Sequence, residues 1–360
     1  MYLRDEIMAV KFGQLLPIPA SPVESLIKIG VRSEKVGFDS IWVADHLLMI
    51  PTGTVPDAWA ILSSIASLTE KVQLGTCVSD PHRRHPAVFA QTVATVDQIS
   101  KGRVVVGLGA GEAMNVQQFG IPWDEPVSRM VEFTEIVRKL WQKDRVTYSG
   151  KFWQIKDGLV QIKPVRNPVP IYFAANGPKT RKLAGEIANG WLPTPQSPEL
   201  YKKHLREIKE AADNVGRSFD SFEPCLYVYT AMAERYDDAL KQLKRIKPQI
   251  AFFPKIIEEA GYSVEIPEHL SKNLYSEILL SEDGLKKYNE FGKYIPDEVV
   301  EDFSIVGTPE GCATKVEEFV KAGVKHFILV NMGPDPRYVI DVFANRIIPQ
   351  YRNTRTGTKK

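Results

Sequence analysis

From residue 10 onward the chain alternates short apolar runs with longer runs in which apolar residues recur every three or four positions. "VKFGQLLPI" gives way to "SPVESLIKIGVRSEKVGF", then "SIWVADH" to "DAWAILSSIASLTEK", a βαβα rhythm. It continues through "VQLGTCVSD", "AVFAQTVATVDQISKG", "RVVVGLGAGE" and "SRMVEFTEIVRKLWQK", with Ser, Asp or Pro near the helix starts and Gly at several ends. The short strands are apolar on both faces, which predicts parallel strands covered by helices.

The rhythm breaks at "RVTYSGKFWQIKDGLVQIKP", where two alternating runs around Gly and Asp predict an inserted β-hairpin over about 145–165. It resumes with the strands "VPIYFAANG", "GWLPTP" and "EPCLYVYTAMA" and their intervening helices. Residues 235–300, punctuated by Pro248, Pro254, Pro267 and Pro296, predict a helical insertion before the last strand, "KHFILVNMG". Strands are expected near 10–18, 40–46, 72–79, 103–109, 170–175, 190–194, 223–231 and 325–332. Eight such strands with interleaved helices predict a (β/α)8 TIM barrel in place of an open doubly wound sheet. The expected organisation is one barrel over 1–350 with two insertions, followed by a polar tail at 351–360.

Composition narrows the class without changing the fold. Hydrophobic residues are 44% and charged residues 25% of 360, which suits a soluble globular chain. The net charge of +2 supplies no general field for nucleic acid or an anionic membrane, so neither is an expected partner. Cys77, Cys225 and Cys312 are few, scattered and odd in number, and the acidic start "MYLRDEIMAV" lacks a signal-peptide pattern; a reducing cytoplasm is the expected location.

A barrel of this kind carries its chemistry at the C-terminal ends of its strands. That rule singles out Asp45-His46, the stretch Cys77 to Asp80, "GAGEAMN" (109–115) and "AANGPKT" (174–180). His46 beside a carboxylate suits a general acid or base, or else simply caps the strand. In "GLGAGEAMN", Glu112 occupies the place of the third glycine of a dinucleotide fingerprint, where it would oppose a pyrophosphate; the alternatives are proton chemistry on a ring or a turn set by packing. "AANGPKT" is either a phosphate-binding helix start, assisted by Thr180, or a tight turn. In "PHRRHP", His82 and His85 lack further ligands at suitable spacing, so no metal is indicated, while Arg83 and Arg84 would bind phosphate or solvate a loop.

Taken together, "VADH", "LGTCVSDPHRRHPAVFAQTVATVDQISKGRVVVGLGAGEAMN" and "VPIYFAANGPKTRKLAGEIANGWLPT" resemble the bacterial-luciferase-like superfamily, in its branch that uses the deazaflavin coenzyme F420. The pattern is similar to F420-dependent glucose-6-phosphate dehydrogenases, F420-dependent secondary alcohol dehydrogenases and methylenetetrahydromethanopterin reductases. The resemblance implies hydride transfer between C5 of F420 and a small alcohol or carbonyl substrate, with His46 as catalytic acid or base and Glu112 as a second proton-transfer group near the ring. It places Asp45, Asp80, Ala110, Gly111 and Asn115 around the ring, and Asn176, Gly177, Lys179 and Thr180 on the phosphate-bearing tail. A non-prolyl cis peptide that presses a bulge against the ring corresponds to Cys77–Val78. Thr194 and Ile50 fall on the substrate side. Ile50 stands where the dehydrogenases carry a tryptophan, and Ser197 where the sugar-phosphate enzymes carry a lysine. The alternatives are a methylenetetrahydromethanopterin reductase, an FMN-dependent monooxygenase, or a flavin-binding barrel without turnover. A homodimer is the family expectation.

Overall fold

Eight parallel strands form where the apolar runs lie: β1 (Lys11–Leu15), β2 (Ser40–Val43), β3 (Gln73–Thr76), β4 (Val104–Leu108), β5 (Ile171–Phe173), β6 (Gly190–Trp191), β7 (Glu223–Met232) and β8 (His326–Asn331). This is a computed structural model, and it describes residues 10–17, 22–49, 51, 53–267, 270 and 281–352. Each strand pairs with the next, and β8 returns to β1 with Lys11 opposite His326, so the sheet closes into a barrel. One helix follows each strand in turn: α1 (Val23–Lys35), α2 (Ala58–Leu68), α3 (Pro86–Ile99), α4 (Pro126–Gln142), α5 (Pro178–Ile187), α6 (Pro198–Asn214), α7 (Pro309–Lys321) and α8 (Pro336–Val342). The architecture is the (β/α)8 barrel.

Local chemistry explains the helix starts. From α3 onward every barrel helix begins on proline, whose missing N–H would have no partner in the first turn. Asp57, Ser197 and Thr308 cap α2, α6 and α7 by accepting from backbone amides three residues on.

The barrel interior is filled from its N-terminal end. Trp42 crosses the axis because β3 carries Gly75 beside it; a Cβ there would lie 2.4 Å from the indole. Below Trp42 the first residues of four strands form a polar chain. Lys11 pairs with Glu223 at 3.0 Å, Glu223 lies 3.4 Å from His326 Nδ1, and the Ser40 hydroxyl joins His326 Nε2 at 2.7 Å to Trp42 Nε1 at 2.8 Å.

The opposite end is covered by helices. Those at Tyr236–Leu240, Leu243–Ile250, Pro254–Glu259, Glu282–Phe291 and Asp297–Phe303 build a second apolar cluster. It takes in Tyr229 and Ala231 from the upper part of β7 and packs on Met114, Val330 and Met332 at the barrel rim. At ten residues β7 outruns the other barrel strands, and its surplus, Thr230–Met232, pairs with a short parallel strand, Ile305–Gly307. That strand was not expected, since three residues are too few to show an alternation. The hairpin lies at Arg145–Ser149 and Gln154–Leu159, with Glu132 of α4 accepting from the amides of Lys151, Phe152 and Trp153 in its turn.

Two further differences concern the edges of these elements. A small antiparallel ribbon, Leu48–Met49 with Gly53–Thr54, follows β2. The first residues of the expected tail also belong to the body of the fold: Tyr351 is buried against Phe12 at 5.5 Å between ring centres, and Arg352 pairs with Asp39 at 2.7 Å. Residues 353–360 lie outside the described residues.

Candidate active site

The segment leaving β2 places Asp45 and His46 side by side with opposite fates. Asp45 is 1% exposed, and its carboxylate accepts from Ser79 Oγ at 2.5 Å, from Arg83 Nη2 at 2.9 Å and from Arg84 Nη1 at 3.0 Å. Burial alone would discourage ionisation, but the two guanidinium groups and the serine outweigh it and hold the carboxyl below the usual range. Arg83 also donates to Asp80 at 2.5 Å, and Arg84 reaches Asp57, the cap of α2. Arg83 and Arg84 are therefore committed to carboxylates; they neither solvate a loop nor stand free for a phosphate.

The two histidines flanking these arginines are also engaged with backbone. His85 Nδ1 accepts from Ala87 N and so caps α3, while the His82 ring bridges the carbonyls of Pro122 at 3.1 Å and Ala110 at 3.0 Å. Sequence spacing did not mark His82, Arg83 or Arg84 as supports of the site, because their partners lie up to 40 positions away. The one local sign was the i, i+3 relation of Asp80 and Arg83.

His46 is half-buried, and its ring turns toward the segment that follows β4. Its Nδ1 lies 3.4 Å from the amide nitrogen of Asn115, which donates to Glu112 Oε2 at 2.5 Å. Burial, with the Asp80 carboxylate adding to it, pushes the Glu112 carboxyl above the usual range against the pull of His46 and Asn115. His46, Asn115 and Glu112 thus form one array joining the ends of β2 and β4. Its two ends, His46 and Glu112, can each exchange a proton, while the Asn115 amide only holds them in place.

A shelf lies next to this array. The Cys77–Val78 peptide, where the sequence reading expected a cis bond, is cis. The Val78 side chain leans on β4: a Cβ on Gly107 would come within 3.0 Å of it and one on Gly109 within 2.9 Å. Ala110 and Gly111 continue the shelf, with Gly111 at φ +81°, where glycine is the residue that fits without strain. The Cys77 thiol faces inward, and burial pushes it up to about 12.

The stretch after β5 forms a separate group on the same rim. The Asn176 side-chain oxygen accepts from both the amide and the hydroxyl of Thr194 at 3.1 Å, bringing these two candidates together. Gly177 precedes α5 without any side-chain cap, so the first amides of that helix stay open, with Lys179 exposed beside them. Thr180 donates to the Gly177 carbonyl at 2.9 Å, leaving only its oxygen lone pairs outward. Ile50 lies outside the described residues.

Residues 8–326 match the model of the family described as luciferase-like monooxygenase. The chain belongs to that family. It is 31% identical over 352 residues to the F420-dependent glucose-6-phosphate dehydrogenase of Microbacterium testaceum, covering 95% of this chain and 98% of that protein. It is 29% identical over 326 residues to the 5,10-methylenetetrahydromethanopterin reductase of Archaeoglobus fulgidus, covering 89% and 93%. Among solved structures it is similar to an F420-dependent secondary alcohol dehydrogenase in complex with an F420-acetone adduct, with a TM-score of 0.81, 28% identity and coverage of 96% and 100%. These relatives act on three different substrates. Among the described residues no helix is long and apolar enough to cross a membrane.

Proposed function

We propose that this member of the luciferase-like family is a coenzyme F420-dependent oxidoreductase acting on a small alcohol or its carbonyl counterpart. The observation that carries the reading is the array of His46, Asn115 and Glu112 beside the Val78 shelf. The residues fit the coenzyme in two ways. The shelf of Val78, Ala110 and Gly111 offers small side chains and backbone to a flat ring, and the uncapped start of α5 with Lys179 suits an anionic tail. Asn176 would steady that tail through its link to Thr194.

Bound F420 supplies a two-electron hydride acceptor or donor at C5. The protein's task is then to handle the substrate's proton and hold the geometry. His46 takes the proton from an alcohol during oxidation and returns it to the carbonyl oxygen in the reverse direction. Glu112, whose carboxyl burial and Asp80 push above the usual range, is the second proton-handling group, next to the ring edge. Asp45 acts through its arginines: its charge is spent in fixing the segment that aims His46.

Two observations favour the alcohol or carbonyl class over a sugar phosphate. Ser197 is buried, and its hydroxyl accepts from Leu200 N as the cap of α6, so this position brings no cation to a phosphate. The rim residues Met114, Val330 and Met332 are uncharged and apolar. We also propose that the enzyme works as a cytoplasmic homodimer. Its three cysteines are free thiols, and Val88 and Leu159, 52% and 45% exposed, offer an apolar face for a second copy.

The test is His46→Ala. On a substrate that wild type turns over, the variant should lose at least ~10²-fold in turnover while its F420 affinity stays near wild type. Unchanged turnover would remove His46 from the chemistry.

A further inference from the structure

Glu259 is the last residue of the covering helix Pro254–Glu259, whose Ile256 and Ile257 are buried in the apolar cluster of the cover. Its carboxylate leaves that cluster and meets two side chains of the barrel helices. Oε2 lies 2.8 Å from His204 Nε2 of α6 and 3.5 Å from Arg181 Nη1 of α5. His204 and Arg181 are both buried.

Each of these two partners leads to the segment that follows β6. Burial and the neighbouring Arg181 push His204 down to about 4, so its ring is neutral at pH 7 and carries one N–H. That hydrogen goes to Glu259, because a carboxylate can only accept. The Nδ1 lone pair then faces the buried side-chain amide of Gln196, whose oxygen stands 2.9 Å away and whose nitrogen has no other partner. Presenting that nitrogen to Nδ1 satisfies both groups. Arg181 carries the second route. It pairs with Glu207 at 2.8 Å and donates to the Asn176 carbonyl, while the Asn176 side-chain oxygen accepts from the amide and the hydroxyl of Thr194 at 3.1 Å. The two routes meet on residues 194–196.

We propose that Glu259 is a positioning residue for this site, fixing from the cover the segment 194–196 beyond the C-terminal end of β6. It acts through His204 on Gln196, and through Arg181 on Asn176 and hence on Thr194. A carboxylate suits the place because it accepts from His204 and balances the Arg181 guanidinium at once. The tie makes the covering helix and the rim of the barrel one mechanical unit. This rests on the oxidoreductase reading for what the segment serves, with Thr194 on the substrate side, but not for the tie itself.

Thr194 stands between Pro193 and Pro195, so its amide is the one backbone N–H of residues 193–195 and reports on that segment. The full-length protein, labelled with nitrogen-15 threonine, is placed in heavy water, and exchange of the Thr194 amide is followed by NMR in wild type, Glu259→Gln, Glu259→Asp and Glu207→Gln. Glu259→Gln should speed the exchange about 10-fold or more, and Glu259→Asp, which keeps the charge but shortens its reach, should fall between it and wild type. Glu207→Gln takes from Arg181 its other carboxylate and should stay within about twofold of wild type. In turnover of 2-propanol with F420, Glu259→Gln should raise KM about 5- to 10-fold with kcat within about twofold of wild type. A glutamate that only held its own helix in place would move neither the Thr194 amide nor KM. Equal exchange in wild type and Glu259→Gln, a KM that the variant leaves unmoved, or an equal rise in Glu207→Gln overturns the proposal. No turnover of 2-propanol by wild type, with the exchange difference intact, would overturn the alcohol reading alone and leave the tie standing.

Discussion

Glu112 is the residue whose surroundings conflict most with its own chemistry. Burial and the Asp80 carboxylate both oppose its ionisation, and only Asn115 and His46 favour it. A carboxyl raised in the folded state above its unfolded value destabilises the fold as pH rises through the interval between the two. Replacing it with glutamine keeps an oxygen for Asn115 and removes the titration. Glu112→Gln is therefore expected to raise the melting temperature at pH 7 while slowing hydride transfer at least ~10²-fold, both measured on the same preparation. A variant no more stable than wild type would mean that Glu112 is not held against its preference. This residue was legible in the sequence because a carboxylate stood where a dinucleotide turn needs glycine. Its dependence on Asn115, three residues on, was not, since the partnership needs a side-chain geometry that spacing does not reveal.

At the level of elements, the ion pairs around Asp45 fasten three segments together: the end of β2, the loop after β3 and the start of α2. Arg83 and Asp45 are 7% and 1% exposed, and removing Arg83 takes one guanidinium from buried Asp45, leaving it Arg84, and takes the ion pair from buried Asp80. Arg83→Met should cost on the order of 3–5 kcal/mol in chemical denaturation. The double variant Arg83→Met with Asp45→Asn should recover part of that loss, and additive losses would show that the two groups are not coupled. The strands and their order were readable from the apolar rhythm, and the strand-end rule led to His46 and Glu112. The loop "PHRRHP" was not readable in the same way. Its basic residues suggested an anion from outside, whereas the anions are Asp45, Asp57 and Asp80 of the chain itself, two of them more than twenty positions away. The strand Ile305–Gly307 escaped for a related reason: it exists because β7 is long enough to offer it an edge.

Across the whole molecule, the two ends of the barrel divide the work. The N-terminal end holds the polar chain of Lys11, Glu223, His326 and Ser40, built from the first residues of four strands, while His46 follows the last residue of β2 at the other end. Burial raises the cost of charging Glu223, but His326 and Lys11 outweigh it and draw its carboxyl down from 4.5 to about 2. A lowered carboxyl stabilises the fold above its unfolded value and loses that contribution as pH falls through the folded one. The fold should lose about 3 kcal/mol through this group between pH 4.5 and 2, and Glu223→Gln should lose correspondingly less over that interval in denaturant titrations. Equal acid sensitivity in the variant would assign the effect elsewhere. Shared fold with relatives that act on an alcohol, a sugar phosphate and a pterin leaves the cofactor as the common factor, and it is the central claim. Titrating the purified protein with F420 and, separately, with FMN tests it most directly, followed by addition of a secondary alcohol while the deazaflavin chromophore is watched. Saturable binding of F420, with bleaching on addition of the alcohol, is the predicted result; tight binding of FMN with no uptake of F420 would contradict it.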